Sequence, residues 1–439
     1  MADLTRRGVV GSALAMGAMG AIGMAKPKNA YSAAALADIR ATAQGAVDSG
    51  DIPGALTVLW RKGELVQLTT AGLRDAQAKL PMERDTIFAI ASMSKPVTVA
   101  TALTLVDAGK IKLDDPITKW APEFANMRVL KKPDGPLDDT VPAPRAITIE
   151  DLMTHRSGLT YPYLARGPLG GALMQKIGFG MESTLTPDEW MKTLASLPLL
   201  SAPGERFSYG HSIDVLGFII ARVHGKTLGE TMRDLLFGPL GMKDTFFWVP
   251  PEKRARRAAT VFSPAPGNFQ PGSVASFTAD TPPAYTSAGQ GLLSTADDYL
   301  TFARMLMGGG KVNGARVLKE KTVALMTGNH ITPEQRKIPS PGIINWKAQG
   351  FGYGMMIIEN PQAYEAAGQG KGSVGTYGWG GAFGGWWQND PKEEMTLIRL
   401  QECLPPPPSP GAFASGPPRT PGAAASVAFV KAAYAALGE

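Results

Sequence analysis

The stretch Phe88-Ala89-Ile90-Ala91-Ser92-Met93-Ser94-Lys95-Pro96-Val97-Thr98 decides how the rest of the chain is read. It joins a short apolar run, Ile87 to Ala91, to the clearest helical pattern in the sequence, from Met93 to about Ala108. Val99, Ala102, Leu103 and Val106 recur at i, i+3, i+4 and i+7, the apolar stripe of an α-helix, and Gly109-Lys110 supplies a stop. Ser92 and Lys95 lie three residues apart at its start. Side chains at that spacing are neighbours, about 5–6 Å between Cβ atoms, so the amine reaches the hydroxyl. A serine hydroxyl becomes a good nucleophile once a base takes its proton, and a neutral amine can do that. The helix N-terminus adds partial positive charge that favours an oxyanion. The tetrapeptide alone decides nothing: with 21 Ser and 23 Lys in 439 residues, chance supplies about one S-x-x-K. On position alone, a Ser92 nucleophile served by Lys95 and a Ser92 N-cap beside a solvated lysine stand level.

Outward from this stretch, the pattern changes period. Ser32 to Val47 reads as a helix, and Gly54 to Leu73 as a β-hairpin turning at Lys62-Gly63. Residues 111 to 285 are rich in helix signals and proline-broken loops. Gly291 to Met307 reads as a helix. Gly352 to Ile358, Gly375 to Gly381, Gly384 to Gln388 and Met395 to Leu400 read as strands, Pro405 to Pro421 as a proline-rich loop and Ser426 to Leu437 as a closing helix. Strands at both chain ends predict an α/β (α+β) fold: one antiparallel sheet flanked by helices, built from about 29–110 and 286–439, with an all-helical insertion at about 111–285 and the cleft between them.

Composition excludes several classes. Hydrophobic residues make up 44% and charged residues 19%, which excludes chain-wide disorder. A single cysteine, Cys403, allows neither an intrachain disulfide framework nor a cysteine zinc cluster, and the four histidines form no HExxH pair. No metal and no cofactor are expected. Residues 1–28 read apart from the fold: Thr5-Arg6-Arg7 precedes an uncharged, glycine-laden run to Ala25, the pattern of a twin-arginine export signal cleaved after Ala25. The expected location is periplasmic or secreted. Of the net charge of +6, that segment holds +3 (Arg6, Arg7, Lys26, Lys28 against Asp3), which leaves +3, too little to argue for a nucleic-acid partner. No later run is apolar enough to insert stably in a bilayer.

Several ordered segments carry a resemblance. The stretch 88–98 resembles the nucleophile region of the serine β-lactamase and penicillin-binding-protein superfamily. Ile149-Glu150-Asp151-Leu152-Met153-Thr154-His155-Arg156-Ser157-Gly158-Leu159 is similar to its "LLTHTSGL" segment. Pro203 to Tyr209, followed by Asp214-Val215-Leu216-Gly217, is similar to its tyrosine motif. Gly289 to Asp298 matches a further segment, and Gly378-Trp379-Gly380-Gly381-Ala382 stands where its Lys-Thr-Gly motif belongs. The likeness spans roughly 32–437 and is nearest to the class C β-lactamase-like serine esterases. It implies catalysis by Ser92, Lys95 and Tyr209, and an oxyanion hole from the backbone N–H groups of Ser92 and Ala382. It implies a substrate-binding edge at Trp379, Gly380, Gly381 and Ala382. His211 takes the place of the motif's usual Asn, as a residue that binds substrate or adjusts Lys95, or as a packed wall residue. The implied reaction is hydrolysis of a small carboxylic ester; the alternative is a β-lactamase, D,D-carboxypeptidase or D-aminopeptidase. A lysine in the third motif would pair with a substrate carboxylate, a charge-assisted bond contributing about 1.5–3 kcal/mol. Trp379 is neutral and favours uncharged acyl or alcohol groups.

Other signals read as structural. Gly210-His211-Ser212-Ile213-Asp214 lacks the final glycine of a G-x-S-x-G elbow, so Ser212 is structural. Gly368 to Ser373 fits no phosphate-loop spacing and reads as a flexible turn at the cleft mouth. His155 reads as a buried structural histidine.

Overall fold

The computed structural model describes residues 31–439 apart from 273, 275, 276, 278, 280, 341, 405–420 and 439. The expected export signal at 1–28 and nearly all of the proline-rich loop lie outside the described residues.

The chain begins with helix α1, Ala33–Asp48, capped by the Ser32 hydroxyl, which accepts from the Ala35 N–H at 3.0 Å. Strands β1 (Gly54–Arg61) and β2 (Glu64–Asp75) form the hairpin, and β3 (Leu80–Pro81) extends it. Helix α2 is Ser94–Asp107, α3 is Ser212–His224 and α4 is Ala296–Met307. The chain returns to the sheet as β4 (Gln349–Phe351), β5 (Met356–Ile358), β6 (Tyr377–Gly380), β7 (Trp386–Asp390) and β8 (Met395–Leu400), and ends in α5, Ala423–Ala435. These eight strands make one antiparallel sheet in the order β4-β5-β6-β7-β8-β1-β2-β3. The two ends of the chain meet at the β8–β1 junction, where Val58 faces Ile398 and Leu59 faces Leu397.

Side chains alternate between the two faces of a strand, and in the central strands both faces are covered, so their residues are buried almost throughout. Leu59, Met395 and Leu397 point to one face, where Ile39 of α1 and Phe429 and Val430 of α5 cover them. Leu56, Val58, Ile398 and Leu400 point to the other and join the main core with α2 and α4. Trp387 lies on that second face among Tyr299, Phe302 and Tyr377, while Trp386 packs partly against the terminal helices.

Between α2 and α4 the chain carries α3 and several shorter helices among long loops, and it adds two short hairpins that an all-helical insertion does not include: Arg128–Leu130 with Thr140–Pro142, and Val261–Ala265 with Asn268–Pro271. The segment read as a helix from Gly291 starts that helix only at Ala296. Its first part, Leu293–Ser294, is a strand paired with Phe88–Ala89. The turn at 368–375 is not at the cleft mouth. The Gln388 amide donates to the Lys371 carbonyl and the Ser373 N–H to Asp390, on the side of the sheet that α5 covers. Among the described residues no helix is long and apolar enough to cross a membrane.

Candidate active site

The approach to Ser92 is held from a distance. Phe88–Ala89 pairs with Leu293–Ser294, Ile90 N–H donates to the Leu292 carbonyl at 3.0 Å, and Ala89 N–H donates to the buried Glu402 carboxyl at 3.0 Å. The chain then turns sharply. Ala91 sits at φ 44°, in the left-handed region that L residues avoid at a cost of about 1–2 kcal/mol. Ala91–Met93 form a single 3-10 turn and α2 starts at Ser94, one residue later than the periodicity suggests. Ser92 therefore is not an N-cap. It projects, half-buried, from a strained turn ahead of the helix.

One of the two readings that position alone left level does not fit the surroundings of Lys95. Lys95 is 0% exposed, so it is no solvated first-turn lysine. Its Nζ lies 3.1 Å from Ser92 Oγ and donates to the Gly289 carbonyl at 2.9 Å. It also sits 4.7 Å from the centre of the Tyr209 ring and 5.5 Å from that of Tyr161, within range of a cation–π contact. Tyr209 Oη donates to Ser92 Oγ at 2.9 Å and accepts from the Trp379 indole N–H at 3.3 Å. Three separate segments, carrying Lys95, Tyr209 and Trp379, thus meet around one hydroxyl.

Tyr209 is held by His155. The Ser208 N–H donates to the His155 carbonyl at 2.7 Å, the Gly210 N–H donates to His155 Nδ1 at 3.3 Å, and the two rings lie 4.7 Å apart. Burial, with Lys95 and His211 nearby, holds the His155 imidazole well below its ordinary range, so it is neutral and accepts that N–H. Its backbone is also left-handed, at φ 53°. Burial, with Asp214 and Tyr209 nearby, pushes the Tyr161 phenol upward. Tyr161 packs edge-on against both Tyr209 and His211.

Strand β6 brings the third motif beside the turn. A Cβ on Gly381 would lie 2.5 Å from the Ile90 carbonyl oxygen, so only glycine permits this approach. Gly381 N–H donates to Gly385 O at 2.8 Å, closing the turn that exposes Ala382. Among the described residues neither Ser92 N–H nor Ala382 N–H donates to a backbone carbonyl.

His211 lies elsewhere than a substrate contact requires. It is 0% exposed, covered by Gly180 and packed against Tyr161 and Trp190, with Nδ1 3.3 Å from Asp214. Ser212 is buried against Ser157, their hydroxyl oxygens 2.8 Å apart. Sequence reasoning passed over Ala91, Tyr161 and Asp214; the last stood inside the tyrosine motif without a role. A cavity of about 1460 Å³ among Phe218, Leu228, Phe237 and Trp248 is lined by none of Ser92, Lys95, Tyr209 and Trp379, so the convergence on Ser92, not cavity size, defines the candidate site. Among the described residues no cluster of His, Cys, Asp or Glu could hold a metal ion.

The fold belongs to a known family. The beta-lactamase family model matches residues 39–412, and the chain belongs to that family. Protein Rv1367c of Mycobacterium tuberculosis is 45% identical over 357 residues, covering 81% of this chain and 87% of that protein. Esterase EstB of Burkholderia gladioli is 31% identical over 368 residues, covering 79% and 85%. Among solved structures, "EstCE1, a hydrolase with promiscuous acyltransferase activity" superposes with a TM-score of 0.74 at 27% identity, over 91% of this chain and 98% of that one. The chain is a serine hydrolase with a β-lactamase-like fold.

Proposed function

We propose that the protein cleaves small, uncharged carboxylic esters through an acyl-enzyme on Ser92. The observation that carries this reading is the bonding of Ser92 Oγ to both Lys95 Nζ and Tyr209 Oη. Ser92 Oγ attacks the ester carbonyl carbon as its proton passes to the Lys95–Tyr209 pair. The negative charge on the carbonyl oxygen rests on the N–H groups of Ser92 and Ala382; one such donor typically contributes about 2.7–4 kcal/mol. The C–O bond to the alcohol then breaks, and the pair returns the proton to the leaving oxygen. Water repeats the sequence on the acyl-enzyme, releasing the acid and restoring Ser92. The Trp379 N–H, bonded to Tyr209 Oη, favours negative charge on that oxygen while the proton moves.

Trp379 also argues against the alternative of a β-lactamase, D,D-carboxypeptidase or D-aminopeptidase. Where such a site would present a cation to a carboxylate, strand β6 presents a neutral indole. A second reading, transfer of the acyl group to an alcohol in place of water, is supported by the likeness to EstCE1, a hydrolase with promiscuous acyltransferase activity. Rates on p-nitrophenyl butyrate and on an anionic β-lactam, each with and without an added alcohol, separate the three, with Ser92→Ala as control. Ester turnover that is absent in the wild type, or unchanged in Ser92→Ala, rejects the proposal. We also propose export through Thr5-Arg6-Arg7 to the periplasm or beyond; replacing both arginines by lysine would then retain the chain in the cytoplasm.

A further inference from the structure

Lys95 is fully buried and its amine is bonded to two oxygens, Ser92 Oγ and the Gly289 carbonyl. The position of Gly289 is therefore part of the geometry of proton transfer. Asp214, in the first turn of α3 and 0% exposed, fixes that position. Its Oδ1 accepts from the Gly289 N–H at 3.0 Å and from the Ser287 hydroxyl at 2.6 Å, and its Oδ2 faces His211 Nδ1 at 3.3 Å. From the opposite side α2 grips the same segment. Thr98 Oγ1 donates to the Ala288 carbonyl at 2.7 Å, and the Leu292 N–H donates to Ser94 Oγ at 3.1 Å. Residues 287–292 are clamped between a buried carboxyl group and the helix that carries the base.

A carboxyl group is a costly filler for an interior unless its oxygens are engaged, and here both are. Apolar side chains would pack the same space, but none could hold a backbone N–H and a hydroxyl at one point. We infer that Asp214, with Ser287 and His211 beside it, is a positioning residue for Lys95: it sets the Gly289 carbonyl that aims the amine at Ser92. Asp214 makes and breaks no bond in the reaction. His211, at the position where the motif's likeness has asparagine, serves this carboxyl group instead of the substrate. The inference rests on the Ser92 acyl-enzyme reading.

The test uses Asp214→Asn, Asp214→Ala and Ser287→Ala, with two readouts: p-nitrophenyl butyrate kinetics and the rate at which a fluorophosphonate probe labels Ser92. Asp214→Asn keeps an oxygen acceptor and is expected to stay within about tenfold of wild type. Asp214→Ala is expected to lose about 10²-fold in kcat at unchanged KM, with labelling slowed by the same factor. Ser287→Ala is expected to fall between them on both readouts. Wild-type labelling in folded Asp214→Ala, or a loss carried by KM alone, overturns the inference. Should Asp214→Ala fail to fold, Ser287→Ala decides: labelling as fast as wild type overturns it. A wild-type protein that neither turns over the ester nor labels at Ser92 rejects the catalytic reading itself, a result these variants do not mimic.

Discussion

Replacing Tyr209 by phenylalanine removes one oxygen and leaves the ring. That oxygen donates to Ser92 Oγ at 2.9 Å and accepts from the Trp379 N–H at 3.3 Å. The ring keeps its contacts with His155, Tyr161 and Trp379, at 4.7, 5.5 and 5.7 Å between centroids. Stability should therefore fall by only about 1 kcal/mol, the net worth of a buried hydrogen bond. A positioned acid–base group contributes about 10²–10⁴-fold, or about 2.7–5.4 kcal/mol of barrier, so kcat should fall by at least about a hundredfold. Trp379→Phe keeps an aromatic ring there but trims its area and removes the donor to the same oxygen. Loss of the donor should cost about 0.5–1.5 kcal/mol, about 2–12-fold in kcat. Because the indole N–H acts through the Tyr209 oxygen, that part of the cost should vanish in the Tyr209→Phe background. The assay is p-nitrophenyl butyrate hydrolysis by wild type, both single variants and the double variant, with thermal melting as the folding control. A Tyr209→Phe kcat within about threefold of wild type, or a Trp379→Phe cost equal in both backgrounds, would refute the proposed path of the proton.

Gly381→Ala places a Cβ 2.5 Å from the Ile90 carbonyl oxygen, so β6 and the Ser92 turn must separate; kcat should drop by about 10²-fold in a protein that still folds, measured with the same ester. Burial raises the Glu402 carboxyl above the ordinary glutamate value near 4.5, against the opposing pull of Arg257, Thr260 and the Ala89 N–H. The unfolded chain sheds this proton first as pH rises, so this contribution to stability is complete below the unfolded value and is lost as pH climbs through the raised folded value. Melting curves across that range should show wild type losing ground to Glu402→Gln with increasing pH; a difference that stays constant or moves the other way contradicts the raised value. Lys79 is exposed in a left-handed conformation at φ 56°, so Lys79→Gly should stabilise by about 0.5–1 kcal/mol in chemical denaturation, the released strain exceeding the added chain entropy.

Much of this protein is local, and what is local was legible. The first helix, the hairpin at 54–75, the core of α2 and strand β8 follow from side-chain periods set by neighbours along the chain. The spacing of Ser92 and Lys95 is fixed by helical geometry alone. The likeness of several short segments picked out Tyr209 and Trp379, which lie 117 and 287 residues from Ser92 (379 − 92), without showing how they meet. Tertiary structure decided the rest, because each remaining feature depends on a partner far along the chain. The helix read from Gly291 begins late because Leu293–Ser294 is claimed as a strand by Phe88–Ala89. Lys95 became a buried amine because residues 287–292 and two tyrosine rings close over it. His211 left the cleft because Gly180, Trp190 and Asp214 enclose it. Ala91 took a left-handed turn because the strand before it and the helix after it are each pinned elsewhere, and a residue between two fixed ends accepts the angle they leave it.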